Sequence, residues 1–186
     1  MVKVIGLTGS IGAGKDVVGK YLVSKYGYNH ITIGDVVRAA MKEKGMEMTR
    51  ENSDAFSQQM RDKHGATYWI SQCVKKVIDE KYKKAVIDGV RLPSVHETIK
   101  KAFEKDYILF KVEAKPLTRF ERLQSRGRAD LPKDLAQFNS QEKSQNEMFK
   151  LDVTFKAASA VIDNSLTLEN LYKNADEVMK KFKDWQ

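Results

Sequence analysis

The sequence predicts an open α/β fold, a five-stranded parallel sheet held between two layers of helices. Three observations carry that expectation. Short apolar, β-branched runs recur at 2–7, 30–33, 85–88, 107–113 and 160–163, and the stretches between them carry apolar residues at helical spacing. Turn residues Gly9, Gly34, Gly89 and Asn164 fall just after four of these runs. The first run leads straight into a glycine-rich loop and then a helix. Strands separated by helices pair in parallel through right-handed crossovers, and ligands gather at their carboxyl ends.

Each element has its own warrant. The run Val2-Lys3-Val4-Ile5-Gly6-Leu7 suits a buried strand, and 17–25 continues as an amphipathic helix. Pro93, Pro116 and Pro132 sit at expected helix starts or loops. A last helix is expected over 167–183. The 186 residues form one domain with a substantial core, and 41% hydrophobic with 31% charged residues is ordinary for a globular chain. Neither an 18-residue apolar run nor a charged-then-apolar leader is present, so no membrane partner and a cytoplasmic location are expected. A single cysteine, Cys73, excludes an internal disulfide, and no Cys/His cluster suggests zinc.

A net charge of +8 and a pI near 9.4 favour polyanionic partners. Lys75-Lys76, Lys100-Lys101 and Lys180-Lys181-Phe182-Lys183 lie on expected helices, where such lysines form a solvated face. Small nucleotides are therefore expected ahead of nucleic acid.

The loop Gly9-Ser10-Ile11-Gly12-Ala13-Gly14-Lys15-Asp16 satisfies G-x-x-x-x-G-K-[ST] at every position but the last. Its glycines let consecutive N–H groups turn inward around phosphates, and the lysine neutralises the outer two. The following helix adds its partial positive N-terminal charge. ATP is the expected ligand. The usual hydroxyl ligates Mg²⁺, and the Asp16 carboxylate is also a hard oxygen ligand. The metal role is the favoured reading of Asp16, and the alternative is a first-turn acid favoured by the helix dipole with no metal role. In Ala85-Val86-Ile87-Asp88-Gly89-Val90-Arg91, Asp88 ends a buried strand beside the loop and is the expected second Mg²⁺ partner.

The segment Ile31-Thr32-Ile33-Gly34-Asp35-Val36-Val37-Arg38 resembles the Ser-Thr-Gly-Asp-x-x-Arg segment of adenylate kinases and related nucleoside monophosphate kinases. The resemblance implies a P-loop NTPase three-layer sandwich of nucleoside monophosphate kinase type with a small lid. It implies acceptor-binding roles for Asp35, Arg38, Gly89 and Arg91, an acceptor segment over about 34–65 and a lid over about 127–147. Val90 stands alone where those kinases have two residues, which brings Arg91 one position early.

Arg119, Arg122, Arg126 and Arg128 fall within ten residues. Arg119, Arg122 and Arg126 have helical spacing, which suits a solvated basic face. In the resembling kinases the equivalents of Arg126 and Arg128 stabilise the transferring phosphoryl group, whose charge is spread over its equatorial oxygens. Gln141 stands before Glu142 where an arginine is common. Asn164 is a candidate nucleotide contact and equally a turn residue. The opening at 5–15 and the ending Val161-Ile162-Asp163-Asn164 also resemble dephospho-coenzyme A kinase, in which an aspartate near Asp35 is a base for a ribose hydroxyl. An archaeal group of adenylate-kinase-like proteins shares features of both and resembles the chain over nearly its full length. A nucleotide-dependent regulatory protein with weak turnover stays open as an alternative. His30, His64 and His96 lack metal-ligand spacing and read as structural. Tyr68, Trp69 and Cys73 read as core.

Overall fold

A computed structural model describes residues 2–125 and 132–186. Five strands, β1 (Lys3–Thr8), β2 (Asn29–Thr32), β3 (Lys84–Asp88), β4 (Tyr107–Glu113) and β5 (Ala160–Asp163), form one parallel sheet in the order β2-β3-β1-β4-β5. The expected fold is the observed one. Leu7 of β1 and Thr32 of β2 both pair with Asp88, so the carboxyl ends of three strands are level at one carboxylate.

Both faces of the sheet are covered, which is why its strands read as continuous apolar runs. Ile5, Leu7, Val86, Phe110 and Val112 pack against α1 (Lys15–Tyr26) and α9 (Leu168–Lys181). On the opposite face Val4, Ala85, Ile87 and Leu109 meet α4 (Tyr68–Asp79) and α5 (Pro93–Phe103), where Cys73 is buried. Burial pushes the Cys73 thiol up to about 12, so it stays an inert thiol at neutral pH.

Two further helices, α2 (Ile33–Glu43) and α3 (Arg50–His64), pack on α4 around Val37, Met41, Phe56 and Trp69. Beyond β4 come α6 (Pro116–Gln124), α7 (Leu135–Phe149) and α8 (Leu151–Lys156). Helix starts follow local chemistry. Thr32, Thr49, Asp134 and Thr167 accept N–H groups as N-caps, and Pro93 and Pro116 occupy first-turn positions. Thr32 also corrects one boundary: because its hydroxyl accepts from Asp35 N–H at 3.0 Å, Ile33 begins α2 and does not extend the strand.

The lysine faces behave as expected: Lys75 and Lys180 pair with Asp79 and Glu177 on their own helices, and Lys76 with Glu80 just past the end of α4. No helix among the described residues is long and apolar enough to cross a membrane.

Candidate active site

The glycine loop connects β1 to α1, and its shape is enforced by its neighbours. Gly9 has φ of 146°, and a Cβ there would lie 2.1 Å from the Val112 carbonyl oxygen. Gly14 has φ of 94° and faces Asn164, whose Nδ2 would be 2.2 Å from a Cβ. That Nδ2 donates to the Ala13 carbonyl at 2.8 Å, so the residue after β5 braces the loop from across the sheet. Lys15 Nζ donates to the Gly9 carbonyl at 2.8 Å and to Ser10 at 3.2 Å, which places the ammonium inside the loop. The first N–H groups of α1 have no intrahelical acceptor and open toward the same space.

Asp88 lies beside this cationic centre. Its side chain is 13% exposed and its Oδ1 is buried with no hydrogen-bond partner. Burial raises its carboxyl above the ordinary range, offset in part by the Lys15 ammonium, by His30 and by the Gly89 N–H. A buried, unpartnered carboxylate oxygen next to a phosphate loop fits a hydrated Mg²⁺, which takes few protein ligands and keeps its waters. Asp16 occupies the first turn of α1, is half exposed, and pairs with Lys20 at 2.8 Å. Among the described residues no group of three or more His, Cys, Asp or Glu forms a metal cage.

A cleft of about 650 Å³ opens from the β3 flank of the loop. Lys15, Asp88, Gly89 and Arg91 line it, together with Arg61 of α3 and an apolar floor that includes Trp69 and Phe149. Arg91 lies over the Phe149 ring at 5.7 Å, which holds its guanidinium at the rim. Arg61 donates to Ser57 Oγ at 2.8 Å and to Gln58 Oε1 at 2.9 Å, contacts within α3 that hold the guanidinium against its own helix beside the cleft. Arg61 was not legible as a site residue. A cation on a polar helix normally means solvent, and only the packing of α3 against α4 turns this one inward.

Arg38 takes a different place. Its Nη2 lies 2.5 Å from Asp35 Oδ1, and the guanidinium folds back over Gly34 at the cleft mouth. Asp35 is held in turn by the Thr32 hydroxyl at 2.7 Å. Partial burial pulls the Asp35 carboxyl up, but the bonds from Thr32 and Arg38 outweigh it and leave it below the ordinary carboxylate range. Such a carboxylate is a weak proton acceptor.

The other flank carries a smaller cleft of about 300 Å³, bounded by Gly12, Gly14, Arg122, Asn164 and Leu168. Arg122 donates to the carbonyls of Asn164 at 2.8 Å and Leu166 at 3.2 Å. The expected basic face of α6 is not solvated at Arg119, which is 5% exposed. It pairs through two nitrogens with Glu142 of α7, donates to the Ala114 carbonyl, and reaches the Ile11 carbonyl of the loop. Its burial follows from the α6–α7 packing, where Phe138 lies beneath the guanidinium. Arg126 and Arg128 lie outside the described residues, as does the start of the expected lid. His96 is buried against the Tyr107 hydroxyl and His64 stacks on Tyr68, both structural placements.

A parallel sheet of this order with a glycine-lysine loop after β1 defines a P-loop kinase-like fold. The chain belongs to the AAA domain family, whose model matches residues 5–150, and to the UPF0200 proteins. It is 32% identical to the UPF0200 protein of Thermococcus onnurineus over 96% of this chain and 97% of that one. A UPF0200 protein of Methanococcus maripaludis is 31% identical, with 97% of each chain covered. The chain spans 56% of the length of the UPF0200/UPF0201 protein of Archaeoglobus fulgidus, to which it is 26% identical. Among solved structures, the shikimate kinase of Bacteroides thetaiotaomicron superposes with a TM-score of 0.64 at 13% identity, covering 97% of this chain and 98% of that one. A gluconokinase from Sinorhizobium meliloti gives 0.60 at 13% identity, with 97% and 95% covered. At those identities the likeness is one of fold.

Proposed function

We propose that this protein is an ATP- and Mg²⁺-dependent kinase that phosphorylates a monophosphate-bearing acceptor of nucleotide type, as adenylate-kinase-like enzymes do. One observation carries the reading: Lys15 and Asp88 share a single cleft with two further arginines, Arg61 and Arg91. A site that only binds nucleotide needs no second set of phosphate-matching cations beside its loop.

In this reading the loop amides and Lys15 hold the donor phosphates, with Asn164 keeping Ala13 and Gly14 in register. Asp16 and Asp88 are the residues that would hold Mg²⁺, which would supply charge neutralisation for the donor phosphates. Arg91 and Arg61 grip the acceptor phosphate, and Arg38 joins them once freed from Asp35. One acceptor oxygen forms a bond to the γ-phosphorus as the bond to the bridging oxygen of ADP breaks. Arg126 and Arg128 neutralise the equatorial oxygens during that passage. The segment 34–65 covers the acceptor and the segment 127–147, which includes most of α7, acts as a lid.

Asp35 favours an anionic acceptor over the ribose hydroxyl of dephospho-coenzyme A. A hydroxyl needs a base, whereas Asp35 is bound to Thr32 and Arg38 and has a depressed pKa. A phosphate oxygen is already anionic, so positioning and electrostatics suffice. The test is acceptor-stimulated ADP release with AMP, CMP, UMP, the deoxynucleotides, dephospho-coenzyme A, shikimate and gluconate. Stimulation by at least one nucleoside monophosphate is expected. ATP binding with no stimulation by any acceptor would replace this reading with a nucleotide-dependent binding protein.

A further inference from the structure

Gly19 stands inside α1, where glycine is the weakest helix former after proline. His30 supplies the reason. A Cβ at position 19 would lie 2.6 Å from His30 Nε2 and 2.8 Å from Cε1, so any side chain there would displace the imidazole. His30 pairs with Val86 and Thr32 with Asp88, which puts His30 and Asp88 on the same face of the sheet. The imidazole is thereby wedged between α1 and β3, and its Nε2 lies 4.0 Å from Asp88 Oδ2.

The polar accounting points the same way. Among the described residues the buried side-chain atoms without a hydrogen-bond partner are Thr8 Oγ1, His30 Nε2 and Asp88 Oδ1. Thr8 and Asp88 end β1 and β3, and His30 lies on the neighbouring strand β2. Leaving such groups unpaired is costly, and native structures rarely concentrate them without use. A closing movement of about 1 Å would bring Nε2 and Oδ2 to hydrogen-bond distance.

We infer that His30 is a positioning residue for Asp88, donating from Nε2–H to Oδ2 so that Oδ1 is turned toward the phosphate loop. The tautomer with the proton on Nε2 is the one this requires. The hydrogen bond fixes a ligating carboxylate from behind, as outer-sphere partners do at metal sites. Gly19 is then part of the device, because it admits the ring. The inference rests on the kinase reading above, since Asp88 matters here as the partner of Mg²⁺.

The experiment is calorimetric titration of ATP into the full-length protein, with Mg²⁺ and with EDTA, for wild type, His30→Leu, His30→Gln and Gly19→Ala. Wild type is expected to bind ATP more tightly with Mg²⁺. His30→Leu fills the space without a donor and should lose about tenfold of that enhancement while binding ATP equally in EDTA. His30→Gln carries an amide N–H near the position of Nε2 and should recover most of it. Gly19→Ala should weaken the enhancement in the same direction, although alanine is the better helix former, and it carries the test if His30→Leu does not fold. Full retention of the Mg²⁺ effect in both variants would overturn the inference, and so would equal losses with and without Mg²⁺. No Mg²⁺ effect in wild type, with no acceptor-stimulated ADP release, would instead remove the kinase reading beneath it.

Discussion

Arg119 of α6 and Glu142 of α7 form a two-pronged ion pair beneath the phosphate loop, and the same guanidinium reaches the carbonyl of Ile11. One buried cation thus ties a helix of the proposed lid to the donor-phosphate loop. Glu142→Ala would leave that guanidinium buried and unpaired, and should destabilise the fold by about 3 kcal/mol. Urea denaturation checks this. The double variant Arg119→Leu/Glu142→Leu should lose much less, and equal losses for the two would contradict the pairing argument.

Asn164 should matter to ATP more than its distance from the loop in sequence suggests. Asn164→Ala removes the donor to the Ala13 carbonyl, which costs about 1–3 kcal/mol for a buried acceptor left unpaired. About half of that expressed in the bound loop weakens ATP by roughly two- to tenfold, read by calorimetry. Unchanged affinity would mean that the loop keeps its shape without the brace.

Asp88 gives a pH signature. Its carboxyl is raised in the folded protein, first by burial, so protonation favours the folded state. That contribution is complete below the unfolded value of about 3.9 and is lost as pH rises through the folded value. Asp88→Asn, which never ionises, should therefore melt higher than wild type near pH 7 in EDTA, by roughly 2–4 °C per kcal/mol relieved. The gap should close near pH 4 and below. The same variant should lose Mg²⁺-dependent activity. A lower melting temperature at pH 7 would rule out the desolvation argument.

The two arginines of the cleft and the one at its mouth should separate kinetically. Arg61→Ala and Arg91→Ala should each raise the acceptor KM by about tenfold or more, as the loss of a charge-assisted contact of about 1.5–3 kcal/mol implies. Arg38→Ala first releases a half-exposed pair with Asp35 and should cost less than either. Equal effects at all three positions would place Arg38 in the ground-state cleft.

Lys15→Ala should reduce ATP affinity and lower turnover by about 100-fold, with thermal stability changed little. Differential scanning fluorimetry with and without ATP distinguishes this from unfolding. A variant with wild-type turnover would place phosphate binding elsewhere.

The fold was legible because its signals are local. Five β-branched runs and the helical spacing between them reproduce all five strands to within a residue or two, and the Thr32 boundary was missed only because a cap outweighed β-propensity at Ile33. The loop was equally plain, since glycines at fixed spacing before a lysine encode a backbone shape. Asp88, Gly89 and Arg91 were found as one strand end, and the structure places all three with Lys15. Arg119, Glu142 and Arg61 carried no such signal. Each looks like an ordinary surface charge on a helix until another helix is laid against it.

The sequence by itself determined the phosphate loop, the alternation of strand and helix, and therefore a ligand site at the carboxyl ends of a parallel sheet. The order β2-β3-β1-β4-β5 was decided only by the tertiary structure. That order sets β3 against one side of β1 and β4 with β5 on the other. It brings Asp88 and Arg91 to one flank of the loop, Asn164 and Arg122 to the opposite flank, and His30 up to Gly19 across the sheet. Residues separated by tens to more than a hundred positions meet because burying both faces of the sheet leaves the helices few places to lie, and no local periodicity records which of them become neighbours.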